Sequence, residues 1–417
     1  MQTLRAKLPL VSMAGVLIAI FSMGFSNSLN SIGLGVCAGA LLLRVICREK
    51  GLVKIPYVRV LIAFAAFLLI DLAINHQYFW TSARGLWKYM GGFLTIVVIL
   101  DALRNKKYAN LVLYTLLAAY AFGAMNGLWQ KFVGGDFIYA RPPHMEGQIR
   151  LRGSFKHYND YGTFLMTGVV VSLAYLVASV LQKRKVQTIC AAALFSVLSY
   201  VLINSFSRSA FIAAIFALMA FCAFFRTRKY SLPGLVTGIT LLILFYPPFG
   251  NRLKDVFSLT HGSTAERLML ADTALKMIRH SPIFGLGINT YSIYFPQFRP
   301  EHYEAVMYAH NSYLQIGVEI GLVGLGLFLL YVFLCLKDSL RLIIRNADSP
   351  ALTALRAGFF SALFGLLVNG CFESLLQSTL LRSLFWTLLG FVVATARSTE
   401  PSLNNGYDSA DPETQSH

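Results

Sequence analysis

Apolar runs of about twenty residues recur along the whole chain, separated by polar intervals that are mostly short. A helix needs about 20 predominantly apolar residues to cross a bilayer core. The pattern therefore predicts about twelve transmembrane helices, over 9–25, 29–47, 58–75, 86–103, 109–129, 159–182, 187–204, 209–226, 231–248, 312–336, 352–371 and 376–396. The first run follows a basic start, as a signal peptide would. No small-residue cleavage pattern follows it and the second run comes at once, so it reads as the first span. Two intervals are long, about 130–158 and 249–311. In the second, Ser263 and Glu266 form a capping-box pattern that should start a helix. Leu268, Leu270, Ala271, Ala274, Leu275, Met277 and Ile278 share one arc of it, opposite Glu266, Asp272, Lys276, Arg279 and His280. This amphipathic helix suits the protein surface or the membrane interface. Pro282 ends it, and Gly285 and Gly287 permit a tight turn. Residues 1–397 thus read as one polytopic domain, and the polar stretch 398–417 as a disordered tail.

Composition agrees. The chain is 56% hydrophobic and 13% charged, against roughly 25% charged residues in soluble domains. The class expected is an all-α polytopic membrane protein. A net charge of +17 would ordinarily suggest nucleic acid, but the Lys and Arg residues fall in short clusters between apolar runs. Such clusters hold cytoplasmic loops at an anionic leaflet. They follow the second, fourth, sixth, eighth and tenth spans (Arg44 to Lys54, Arg104 to Lys107, Lys183 to Lys185, Arg226 to Lys229, Lys337 to Arg345). This alternation places both termini in the cytoplasm and both long intervals outside. His76, His144, His157, His261, His280, His302 and His310 then share the outer side.

Candidate chemistry concentrates on that side. His310 and Asn311 immediately precede the tenth span, where a titratable imidazole would meet a membrane-bound substrate. The alternative is an ordinary helix start with Asn311 or Ser312 as cap. Arg208 opens the eighth span in a short outer turn among Ser205, Ser207 and Ser209, which is an anion site in kind. Arg267 lies within the apolar arc of its helix, so it either snorkels or is pinned by an anion. The stretch 150–162 is basic and aromatic. Arg150, Arg152, Lys156 and His157 could meet a sugar phosphate, with Asn159 beside them, while Tyr158 and Tyr161 could stack on sugar rings. An aromatic belt accounts for the same residues. Half-buried acids are few: Asp71, Asp160, Glu319 and Glu373. Glu319 lies too far along the helix to touch His310 and should pair with another element. The six cysteines lie in apolar runs without zinc spacing or a disulfide framework. No catalytic metal and no cofactor are expected.

Four segments in order resemble the superfamily of O-antigen ligases and O-antigen polymerases, glycosyltransferases of the bacterial envelope. They are Gly153–Gly162, Ser207–Ser209, Glu266–Gly287 and Ala309–Gly324. The resemblance covers 150–330. It implies a GT-C-like helical fold in the bacterial inner membrane and metal-independent, inverting transfer at the periplasmic face. It also implies a glycan donor on undecaprenyl diphosphate. By the same resemblance, Arg208 and Arg267 would hold the diphosphate and His310 would activate the acceptor hydroxyl. Arg152, Lys156, His157, Asn159 and Asn311 are further candidates for substrate binding. A ligase, with lipid A–core oligosaccharide as acceptor, is favoured by chain length and by the single dominant outer loop. A polymerase joining lipid-linked repeats is the alternative. A transporter of lipid-linked sugars is disfavoured because the suspect residues gather at one face.

Overall fold

A computed structural model describes residues 2–47, 53–104, 106–145, 148–225, 228–245, 263–301, 303, 308–345 and 349–397. Among them, twelve helices fall on the twelve predicted segments: α1 (Gln2–Ser22), α2 (Asn27–Ile46), α3 (Val58–Ile74), α4 (Phe79–Arg104), α5 (Lys106–Val133), α6 (Tyr158–Leu181), α7 (Lys185–Ser205), α8 (Arg208–Ala223), α9 (Arg228–Phe245), α12 (Ser312–Arg345), α13 (Pro350–Asn369) and α14 (Thr379–Arg397). Two more, α10 (Ser263–His280) and α11 (Tyr291–Phe298), lie in the long interval before α12. Among the described residues, eight helices are long and apolar enough to cross a membrane, and α1 and α8 offer shorter apolar stretches. The protein is an all-α, multi-pass membrane protein. The expected tail 398–417, and with it His417, lies outside the described residues, as do His302 and all of 246–262, including His261.

The chain's own capping chemistry sets many of the helix starts. Ser26, Ser207 and Ser349 each accept a hydrogen bond from a backbone N–H three residues on, the last with Pro350 in the first turn. The bundle centre is α13, 83% buried over its span, packed on α6, α8 and α14. At 22% buried, α7 belongs to the rim. The interval after α5 is ordered by Asp136, whose carboxylate accepts backbone N–H groups from Ile138, Tyr139 and Arg141. It includes a short hairpin of β1 (His144–Met145) and β2 (Ile149–Arg150).

Helix α10 lies as expected along the protein. Leu270, Ala274, Met277 and Ile278 bury against Leu286, Tyr291, Phe295, Ala309 and Val318, forming a small second core at one end of the bundle. Leu268 and Leu275, placed in the apolar arc, are instead exposed, because the arc is wider than the surface it meets.

The predicted single span 312–336 differs in two ways. It runs on to Arg345, and it breaks at Ile320 and Gly321. The break leaves orphan backbone groups that cannot stay unpaired in a bundle interior. The turn after Pro282 fills it: Leu286 and Gly287 N–H donate to the Val318 and Glu319 carbonyls at 2.8 and 3.0 Å, and Leu322 N–H donates to the Pro282 carbonyl at 2.7 Å. Gly285 (φ +71°) and Gly321 (φ +66°) allow the approach. A Cβ on Gly321 would stand 2.1 Å from the Ile283 carbonyl oxygen, and one on Gly285 would stand 2.6 Å from the Glu319 carbonyl. Lys88 on α4 clamps the far side of the turn, donating to Asn289 at 2.6 Å and Gln377 at 2.7 Å. Glu319, expected to pair away from His310, accepts from Gln315 on its own helix and from Gln377 across the interface.

Candidate functional site

The starts of α6, α8 and α12 and the end of α13 meet at one face of the bundle. Helices that alternate in direction put the starts of every second helix on one side, and the packing of distant helices then brings these ends together. Between them opens a cleft of about 260 Å³, lined by His157, Tyr158, Asn159, Phe206, Arg208, Ser209, Glu266, Arg267 and His310. Arg208 and His310 are 102 positions apart in the chain, and here they share one wall.

His310 is held by a strap between its loop and the turn after α13. Ser312 N–H donates to the Gly370 carbonyl at 2.7 Å, the Ser312 hydroxyl to the Glu373 carbonyl at 2.6 Å, and Leu375 N–H to that hydroxyl at 3.0 Å. Asn311 donates to the Cys371 carbonyl at 3.0 Å, and its side-chain oxygen accepts from Tyr313 and Leu314 N–H. Asn311 is thus the cap of α12. The Ala309 amide donates to the Gln315 side chain at 2.8 Å. His310 itself adopts φ +48°, in the left-handed region that few non-glycine residues enter, His more readily than most.

The strap brings His310 Nδ1 to 3.4 Å from Glu373 Oε2. The other Glu373 oxygen, Oε1, accepts from Arg267 at 2.7 Å, from Asn159 at 2.8 Å and from Ser209 at 3.3 Å. A carboxylate only 6% exposed therefore joins α6, α8, α10 and α12 at one point. The bond to Glu373 is the main cause that raises the His310 pKa above its ordinary value, against partial burial and the Arg267 charge. His157 is pushed the other way, mainly by desolvation, with His310, His144 and Arg267 adding to it against the pull of Glu373.

The sequence candidates divide. Arg208, Arg267, His310, His157 and Asn159 line the cleft. Arg152, Lys156 and Asn311 do not belong to its lining. The Arg152 guanidinium donates to the Pro142 and Lys156 carbonyls and staples its own loop, and Lys156 is exposed. His157 also caps α6, its Nδ1 accepting from Asn159 N–H at 3.3 Å. Tyr158 reaches the cleft under the Arg150 guanidinium, whose carbon lies 4.7 Å from the ring centroid. Tyr161, expected to stack on sugars, is fully buried with its hydroxyl donating to the Gly123 carbonyl at 2.8 Å. The serines around Arg208 are committed to the protein: Ser205 donates to Leu202, Ser207 to Asn159 and Ser209 to Glu373. Of the two readings of Arg267, pinning by an anion holds, and the anion is Glu373. In the sequence, Glu373 is a half-buried acid with no evident role. Its signal was an acid in the short polar turn between two apolar spans.

The cleft can bind a concentrated negative charge against two guanidinium groups and can present His310 Nε2 to a hydroxyl, because Nδ1 faces Glu373. The family model of the O-antigen ligases matches residues 191–329. A protein of Rickettsia bellii (strain RML369-C), described as a candidate polysaccharide ligase, is 31% identical over 119 residues, which are 26% of this chain and 29% of that relative. The matched stretch thus spans less than a third of the relative's length. Residues 191–329, which contain Arg208, Arg267 and His310, are thus similar to the O-antigen ligase family over about a third of the chain.

Proposed function

We propose that the protein is an O-antigen ligase of the bacterial inner membrane. It would transfer polysaccharide from undecaprenyl diphosphate to the lipid A–core oligosaccharide at the periplasmic face, with both chain termini in the cytoplasm. The observation that carries this reading is the meeting of Arg208, Arg267, His310 and Glu373 around one cleft.

The chemistry follows from those groups. The donor's diphosphate carries the charge that grows as its bond to the anomeric carbon breaks. Arg208 and Arg267, which present fixed donors to phosphate oxygens, stabilise that charge without a metal ion. His310 Nε2 takes the acceptor's hydroxyl proton while the oxygen attacks the anomeric carbon from the face opposite the leaving group. The carbon–oxygen bond to phosphate breaks, undecaprenyl diphosphate leaves with the electron pair, and the configuration inverts. Glu373 holds the His310 tautomer with Nδ1 protonated and stabilises the imidazolium as it forms. His157 and Asn159 border the space where donor and acceptor sugars would meet.

The test is reconstituted transfer from an undecaprenyl-diphosphate glycan to lipid A–core with EDTA present, for wild type and His310→Ala. Transfer by wild type alone is expected. Normal transfer by His310→Ala would sink the assignment of the base. Elongation of a second lipid-linked repeat, without transfer to core, would make the protein a polymerase.

A further inference from the structure

The end of the bundle opposite His310 carries a cavity of its own, about 440 Å³, which the proposed transfer does not use. α12 has 34 residues, so its far end lies roughly 50 Å from the cleft. Tyr57, Asp338, Arg341, Arg345 and Arg397 line one part of the cavity, and Leu342 and Val393 form an apolar wall. Arg345 ends α12 and Arg397 ends α14.

The charge balance there is one-sided. Three guanidinium groups face one carboxylate, and that carboxylate, Asp338, already accepts the Tyr57 hydroxyl at 2.6 Å. Arg397 donates to the Lys54 carbonyl. Arg341 and Arg345 stand one turn apart on one face of α12, and among the described residues neither makes a hydrogen bond or an ion pair. Like charges at that spacing destabilise a helix unless an anion lies between them. Complementing a helix's negative C-terminal end accounts for one arginine per helix. It does not account for three converging from two helices on a cavity with an apolar wall.

We propose that this cavity binds the headgroup phosphate of an anionic phospholipid from the adjacent leaflet. Arg341, Arg345 and Arg397 surround the phosphate, whose oxygens suit the planar guanidinium fork. An acyl chain lies along Leu342 and Val393. Basic pockets between transmembrane helices take anionic headgroups in this way. A free phosphate would use the arginines but not the wall.

The experiment uses the full chain, purified in mild detergent and delipidated. Native mass spectrometry reads the binding of phosphatidylglycerol and of phosphatidylcholine with the same chains, with inorganic phosphate as competitor. Wild type should retain phosphatidylglycerol at least about tenfold more than phosphatidylcholine. Arg341→Gln/Arg345→Gln should lose that preference, and Lys183→Gln/Lys185→Gln, which removes as much charge elsewhere, should keep it. The melting temperature supplies a second reading: phosphatidylglycerol should raise it in wild type and in the lysine control but not in the arginine variant. Equal preference in the arginine variant, or equal loss in the lysine control, would overturn the site. Displacement by inorganic phosphate as effective as by phosphatidylglycerol would overturn the lipid as its occupant.

Discussion

Glu373→Gln separates the proposed mechanism from a merely electropositive cleft. The substitution keeps the size and shape of a side chain that is buried and accepts four contacts. It removes the charge and replaces one oxygen by an NH2 group. The Oε1 position has three donors aimed at it, from Arg267, Asn159 and Ser209, so the amide oxygen must stay there. The NH2 group is then left facing His310 Nδ1. An NH2 can only donate, so Nδ1 must become the acceptor and the ring proton moves to Nε2. The nitrogen that should receive the acceptor's proton is then blocked. General-base catalysis contributes about 10²- to 10⁴-fold, and kcat should fall by about that factor while KM for the donor changes less.

The pH dependence supplies an independent reading. Glu373 is the largest cause raising the His310 pKa. The neutral base therefore accumulates only as pH rises through a value above the ordinary 6.5, and wild-type kcat/KM should climb with pH across that region. In Glu373→Gln the ascending limb should shift to lower pH even as the plateau drops. The assay is single-turnover transfer by reconstituted protein between pH 5.5 and 9, with a melting curve in detergent to confirm folding. A folded Glu373→Gln protein that transfers within a few-fold of wild type, on an unshifted profile, would refute the tautomer argument.

Other outcomes follow from the same geometry. Arg208→Ala and Arg267→Ala should each cost about 1.5–3 kcal/mol of donor interaction, read as a rise of about 10- to 150-fold in donor KM or Kd; unchanged donor affinity in both would remove them from the diphosphate. Arg267→Ala should also weaken the hold on Glu373, so its kcat should fall as well, whereas that of Arg208→Ala should fall less. Gly321→Ala must place a Cβ 2.1 Å from the Ile283 carbonyl oxygen at φ +66°; strain of at least about 1–3 kcal/mol should lower the melting temperature. Gly326→Ala, in the same helix with open space around it, should not; equal melting of the two variants would refute the inserted turn.

Much of the fold was legible along the chain because a bilayer imposes a local rule. A span must be apolar, long enough and internally hydrogen-bonded, and those properties are written in twenty consecutive residues. The helices on the twelve apolar segments, the amphipathic α10 and the serine caps follow from such short stretches. Arg208 and His310 stood out because a charged or titratable group at the end of an apolar run is conspicuous, and Arg267 because it interrupts the apolar arc of an amphipathic helix. The break in α12 was not legible. Gly321 reads as one more small residue in a glycine-rich span, and only the turn from Pro282 to Gly287, packed against it, satisfies the backbone that the break exposes. The partnership of Glu373 with residues up to 214 positions away was equally hidden. Nothing in its own turn distinguishes a hub from a solvated acid. The roles of Asn311 and Tyr161 changed for the same reason: one amide is consumed in capping and one ring is sealed inside the bundle. Sequence by itself determined which residues lie at the ends of helices, since hydropathy is local. Which of those ends meet, and which polar atoms remain facing the cleft, depends on contacts between distant segments, and only the packed bundle decided it.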